Sequence, residues 1–180
     1  MSELAARIVA IHRALEQARV LHAFGGALAL AWCTQRPRGT SDIDLNVFLQ
    51  GGELDRLLDA LPEGIRASPD ERSLLERDGQ ARLHWSDTPV DVFLDTTPFH
   101  RDALLRVVHH EFAGASVPFL SCTDLAVFKA FFDRTKDWAD LEEMVEAGSL
   151  DHERALGVLV SYLDVDDPRI RRLRSLVVDR

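Results

Sequence analysis

The chain has 180 residues, 46% of them hydrophobic and 28% charged, with a formal net charge of −9. That supplies a sizeable core for one domain without staples. The acidic balance argues against a protein that grips nucleic acid by overall electrostatics, although the terminal stretch RIRRLRSLVVDR is locally basic.

Leu4, Ile8, Ile11 and Leu15 recur at helical spacing and predict an amphipathic helix from about Ser2 to Ala18. VLHAF reads as a short strand broken by Gly25-Gly26, and ALALAWC as a helix starting directly after the glycines. TQRPRGTS, with Pro37 and Gly39, is a loop. A strand from Asp42 to Leu49 follows, then a break at Gly51-Gly52 and an amphipathic helix near Glu53 to Ala60. Asp78-Gly79, between SLLER and ARLHW, predicts a hairpin turn, and SDTP predicts a second hairpin joining ARLHW to VDVFLD. After Pro98 the chain turns mainly helical. HRDALLRVVHHE is taken as a helix closed by His109-His110, SVPFL as a short extended piece, and TDLAVFKAFF, WADLEEMVEA and two further segments as helices. No repeat or low-complexity tract is visible. The expected class is α+β: a β-containing part over residues 1–98 and a helical part over 99–180, packed together as a single domain.

Cys33 and Cys122 lie far apart without paired-ligand spacing and read as reduced thiols in or near the core. Glu3 and Arg7 make the opening residues a helix rather than a signal peptide. The most apolar run, HAFGGALALAWC, is shorter than the ~20 residues of a membrane span. A soluble, cytoplasmic protein with no membrane partner is expected.

The chemistry concentrates in carboxylates. Along Asp42-Ile43-Asp44-Leu45-Asn46-Val47 polar and apolar residues alternate, so Asp42 and Asp44 project from the same strand face. A second strand, Val90 to Asp95, sets Asp91, Phe93 and Asp95 against Val90, Val92 and Leu94. If the two strands are neighbours, Asp42, Asp44 and Asp91 converge. Three carboxylates so close repel, and a hard divalent cation such as Mg²⁺ removes the conflict through oxygen ligands. Two such ions can stabilise both oxygens of an in-line phosphoryl displacement. Gly25-Gly26 at a helix start would expose backbone N–H groups to an anion. Downstream, KAFFDRTKDWADL gathers charge. Lys129 and Asp133 could pair across one helical turn, and Asp137 is a candidate N-cap of the next helix. His22, His84 and Trp138 read first as structural, His109-His110 lacks the partners of a zinc site, and no serine or cysteine stands in a nucleophile-elbow context.

Together, FGGALALAW and RGTSDIDLNVF resemble the signature of the nucleotidyltransferase superfamily of the DNA polymerase β type. Within it the chain is most similar to small AbiEii-like proteins, the toxin arm of some toxin–antitoxin and phage-defence pairs. Arg38 and Thr40 before D-x-D, and Lys129, Arg134, Lys136, Asp137 and Asp140 downstream, carry that likeness. The resemblance implies a small mixed or antiparallel nucleotidyltransferase sheet with flanking helices. Asp42, Asp44 and Asp91 would bind two Mg²⁺ (or Mn²⁺) ions, with Asp91 as third ligand or base. Gly25, Gly26, Arg38, Thr40, Lys129, Arg134, Lys136 and Asp137 would form the NTP site. Lys129 would contact the triphosphate, and Asp137 would organise the basic residues. An NMP would pass to an acceptor hydroxyl on RNA or tRNA, protein or a small molecule, with an antitoxin as a further partner. The alternatives are an aminoglycoside-type enzyme of the same fold and a catalytically silent nucleotide- or protein-binding member. Two departures stand out: a long segment between Gly26 and Asp42, and Gly26 where active members commonly carry serine.

Overall fold

A computed structural model describes residues 2–49 and 53–178, so the expected Gly51-Gly52 break lies outside the described residues. The chain divides into two compact units, one comprising Met1–Gly26 and Gly39–Leu120, the other Ala27–Arg38 and Ser121–Arg180.

The first unit opens with α1 (Glu3–Gln17), whose N-cap Ser2 accepts from the Ala5 N–H at 3.3 Å and whose inward face buries Ile8, Ile11 and Leu15. Its strands are β1 (Leu21–Phe24), β2 (Ile43–Phe48), β3 (Gln80–Trp85), β4 (Thr88–Leu94), β5 (Val108–Phe112) and β6 (Ala115–Phe119). They form one six-stranded sheet in the order β3-β4-β2-β1-β6-β5. β2 runs antiparallel to β1 and parallel to β4, while β1 and β6 meet in parallel and the outer pairs are antiparallel hairpins. The sheet is therefore mixed and the class α+β, as expected. Central β2 is buried along nearly its whole length, as a strand covered on both faces should be. Helices α3 (Leu54–Ala60), α4 (Pro69–Asp78) and α5 (Pro98–Ala103) complete this unit.

Two local expectations are overturned. SLLER belongs to helix α4, and Asp78-Gly79 makes no hairpin turn. Ser68 and Glu71 form a reciprocal capping box with Pro69 inside the first turn, and Gly79, at φ 68°, caps the other end. A complete start-and-stop signal outweighs a two-residue turn motif. HRDALLRVVHHE is likewise not one helix. α5 stops at Ala103 with a short 3₁₀ turn at Leu104–Arg106, and VHHEF is edge strand β5, placing His109 and His110 in the sheet. Ala113 and Gly114, at φ 51° and 81°, give the two positive-φ residues of a tight hairpin to β6.

The second unit holds α2 (Gly26–Thr34, entering from the first unit), α6 (Cys122–Phe132), α7 (Thr135–Glu146), α8 (His152–Tyr162) and α9 (Pro168–Val178). Its core is Trp138, Leu125, Leu141, Met144, Leu159, Ile170 and Leu173, so Trp138 is structural, as read. The expected reduced thiols are corrected: Cys33 near the end of α2 and Cys122 at the start of α6 form a disulfide, with Cα atoms 5.5 Å apart and 89 residues between them in sequence. Linear spacing carries no information on such a pairing, and cysteine usage no longer argues for a reducing compartment. Among the described residues, no helix is long and apolar enough to cross a membrane.

Candidate functional site

The parallel pairing of β2 and β4 sets Asp44 directly opposite Asp91. Residues in register on adjacent strands share a face, so both carboxylates leave the sheet together. The other face is apolar and closed: Ile43, Leu45, Val47, Val90 and Val92 are fully buried. Burial of that stripe fixes the register, because a one-residue slip of either strand would turn its aspartate into the core. Asp42 lies one residue before β2, on the Asp44 side by strand period. The Thr40 hydroxyl donates to the Asp42 carboxylate and accepts from the Asp42 N–H at 3.4 Å, bracing the entry to the strand.

Asp91 has a partner that sequence reading missed. Arg82 on β3 stands directly opposite it and donates from Nε at 2.7 Å and Nη2 at 2.8 Å, one bond to each carboxylate oxygen. This fork-on-fork contact raises the Arg82 pKa above its ordinary value. The hydrogen bonds and charge of Asp91 dominate, burial works against them, and the charges of Asp42 and Asp44 add to the rise. The expected hairpin has SDTP as its connection, but the turn is only two residues, Ser86-Asp87, which pairs Trp85 with Thr88 and, counting outward, Arg82 with Asp91. Asp95 leaves the cluster, accepting from the Leu49 N–H at 2.9 Å.

The glycine turn adjoins the same face. The Gly25 N–H donates to the Asp44 carbonyl at 2.9 Å, tying the end of β1 to β2. Gly26 begins α2 at φ +55°, and a Cβ there would overlap the Asp44 carboxylate. Both constraints select glycine, which accounts for its presence where serine is common in the resembled family. A Cβ on Gly25 would come within 2.9 Å of Asn46 Nδ2. Backbone, helix start and carboxylate are thereby held close.

His22 is enclosed in the first unit rather than presented to a ligand. Its Nδ1 lies 2.9 Å from the Val20 carbonyl and its Nε2 3.0 Å from Nδ1 of buried His12. Burial pushes the His22 pKa down to about 4 and lowers that of His12.

In the second unit Arg38, Lys129, Arg134, Asp137 and Asp140 form ion pairs. Lys129 Nζ lies 2.5 Å from Asp140 Oδ2 and 3.7 Å from Asp137 Oδ1, with all three side chains buried. Asp140 also meets Arg38 at 2.6 Å. Burial alone would push the Asp140 carboxyl up, but hydrogen bonds from Arg38 and Lys129, with their charges, hold it below its usual range. Arg134 grips Asp137 through Nε at 2.6 Å and Nη2 at 3.1 Å. Asp137 sits in the first turn of α7, accepting from the Arg134 N–H, so Arg134 rather than Asp137 holds the N-cap position. The expected Lys129–Asp133 pair does not form; the Asp133 carboxylate instead accepts from the Trp138 indole at 2.6 Å. Lys136 is exposed.

Asp42, Asp44 and Asp91 carry the oxygen donors that a hard divalent cation takes. Among the described residues, however, no three histidine, cysteine or acidic side chains are gathered as a metal site, and both Asp91 oxygens are held by Arg82.

No family model and no curated protein matches the chain. Among solved structures it is similar to the antibiotic-resistance factor ANT(2'')-Ia in solution, at 17% identity, covering 98% of this chain and 92% of that one with a TM-score of 0.57. A crystal structure of ANT(2")-Ia in complex with adenylyl-2"-tobramycin is similar at 15% identity, with 97% and 98% covered and a TM-score of 0.60. An antigenic nucleotidyltransferase-like protein from Paracoccidioides brasiliensis is similar at 13% identity, with 98% and 86% covered and a TM-score of 0.53. The chain has a nucleotidyltransferase-like fold.

Proposed function

We propose that the chain is a Mg²⁺-dependent nucleotidyltransferase that moves an NMP from an NTP to an acceptor hydroxyl. The observation that carries this reading is the register of Asp44 against Asp91, with Asp42 beside them and Gly25-Gly26 adjoining. Asp42 and Asp44 would hold the metal, with Asp91 as third ligand or as acceptor of the hydroxyl proton. When bound, Mg²⁺ would neutralise charge on the α-phosphate and on the departing pyrophosphate. The chain's own part is to orient. The turn at Gly25-Gly26 presents backbone at a helix start where phosphate oxygens can approach closely, and Thr40 fixes Asp42. The acceptor oxygen bonds to the α-phosphorus, the bond to the bridging β-phosphate oxygen breaks, and pyrophosphate leaves with that electron pair.

A small-molecule acceptor is supported by the neighbour bound to adenylyl-2"-tobramycin and by the net charge of −9, which disfavours holding an RNA backbone. The toxin–antitoxin role rests on the resemblance of the motifs alone. The test is label transfer from each NTP in Mg²⁺ to an aminoglycoside, bulk tRNA or protein, with Asp44→Asn as control. Transfer abolished in the variant supports the proposal. NTP binding without transfer to any acceptor would favour a silent nucleotide-binding protein, and no NTP binding in Mg²⁺ would refute the phosphate site.

A further inference from the structure

We propose that β5 is a self-association edge, along which a second copy of this chain pairs antiparallel through its own β5. β5 ends the sheet, and its pairs with β6 run from Val108↔Phe119 to Phe112↔Ala115 without a bulge. The opposite edge is treated differently: Trp85 of β3 is bridged by Ile65, and α4 packs along that strand. Among the described residues no strand or bridge continues the sheet past β5.

The turn fixes which backbone groups this edge presents. Ala113-Gly114 is a two-residue hairpin turn, so the flanking pair Phe112–Ala115 exchanges both backbone bonds and the pairs alternate from there. Val108, His110 and Phe112 then direct N–H and C=O at β6, whereas those of His109 and Glu111 point outward. Pro118, which has no N–H to give, falls opposite His109, as that phase requires. Two such edges can meet antiparallel in phase about His109, His110 or Glu111. About His109 the register sets imidazole on imidazole, and about Glu111 it sets carboxylate on carboxylate. Neither gains an opposite-charge contact, and each pairs only one of the two outward residues within the strand. About His110, both outward residues are paired: His109 of each copy faces Glu111 of the other. All their N–H and C=O groups are then bonded, and unlike side chains stand opposite each other. The Glu111 carboxylate accepts an imidazole N–H whether that ring is charged or neutral. On the other face Val108, 42% exposed, meets Phe112 of the second copy, while His110, its ring 5.9 Å from that of Phe119, lies on the two-fold axis. A charged edge repels most strands, but this one fits its own copy, because the two-fold operation brings each side chain to its opposite. So short an edge buries less than the ~1,200 Å² of a stable interface, which makes the dimer weak and concentration-dependent.

The test is sedimentation velocity of the full chain from dilute solution to ~1 mM, with residue-resolved amide hydrogen exchange at both ends of that range. The sedimentation coefficient should rise towards that of a dimer. The His109 and Glu111 amides should exchange at least about fivefold more slowly in the concentrated sample, because only association gives them backbone partners. His109→Glu and Glu111→Lys each remove both unlike contacts, and each should weaken self-association at least about tenfold. An equimolar mixture of the two variants should associate again, since every contact between unlike copies is then of opposite charge; a folding defect cannot be rescued in this way. Monomers throughout the range would overturn the inference, as would association without protection of those two amides. Single variants that associate like wild type, or a mixture no more associated than its components, would overturn it equally.

Discussion

Replacing Lys129 with methionine separates two roles for this residue. The resemblance assigns Lys129 to a triphosphate, whereas its amine is buried between Asp140 at 2.5 Å and Asp137 at 3.7 Å, with those side chains 2% and 1% exposed. Removing one partner from a buried ion pair typically costs ~3–5 kcal/mol, because the remaining charge stays desolvated. Here Asp140 keeps Arg38 and Asp137 keeps Arg134, both at 2.6 Å, which places the expected loss near the low end, ~3 kcal/mol. For a chain of this size that corresponds to a fall of roughly 6–12 °C in Tm. Urea and thermal unfolding of Lys129→Met measure it. A paired Lys129→Met, Asp140→Leu variant should recover much of the loss, since it removes the stranded charge as well as its partner. If Lys129→Met unfolds within about 0.5 kcal/mol of wild type while NTP affinity drops, the brace argument is wrong and Lys129 serves the nucleotide.

Acidification should weaken the first unit. The folded-state pKa of His22 is depressed from 6.5 to about 4, so the stability linked to its neutral ring is complete above 6.5 and is lost as pH falls towards 4. By linkage that loss approaches ~3 kcal/mol, and His22→Gln should reduce the pH dependence of the urea midpoint between those values, the remainder coming from buried His100, whose pKa burial also lowers to about 4. Gly26→Ala should cost ~1–2 kcal/mol for a side chain at φ +55°, and displacement of the Asp44 carboxylate should weaken NTP binding as well. Gly39→Ala, which meets no atom within 4 Å, should unfold like wild type. Reduction of the Cys33–Cys122 bridge, 89 residues apart in sequence, should remove up to ~4 kcal/mol of unfolding free energy, measured against an unreduced control.

The parts of the molecule legible in the sequence were those carried by short-range pattern. Alternation along 42–47 announced β2 and its acidic face, and glycine at 25–26 announced the break into α2. Asp91 could be nominated from its own strand, but its placement needed β2 and β4 to be neighbours, a choice of pairing that no local pattern makes. The misses share that cause. The disulfide joins segments whose approach is decided by packing, and Lys129 was assigned Asp133 by helical spacing when the chain supplied better acids from α7. At Asp78-Gly79 the evidence was local, but a turn motif and a helix C-cap use the same glycine conformation; only the capping box upstream distinguishes them. Arg82 is the instructive case. A hairpin turn of fixed length is a register statement, and register names the cross-strand partner of every residue in it. Read as the four-residue connection SDTP, the hairpin sets Arg82 opposite Phe93; only the two-residue turn at Ser86-Asp87, with Thr88 and Pro89 already in β4, sets it on Asp91, so the exact turn length decided whether this cation was legible.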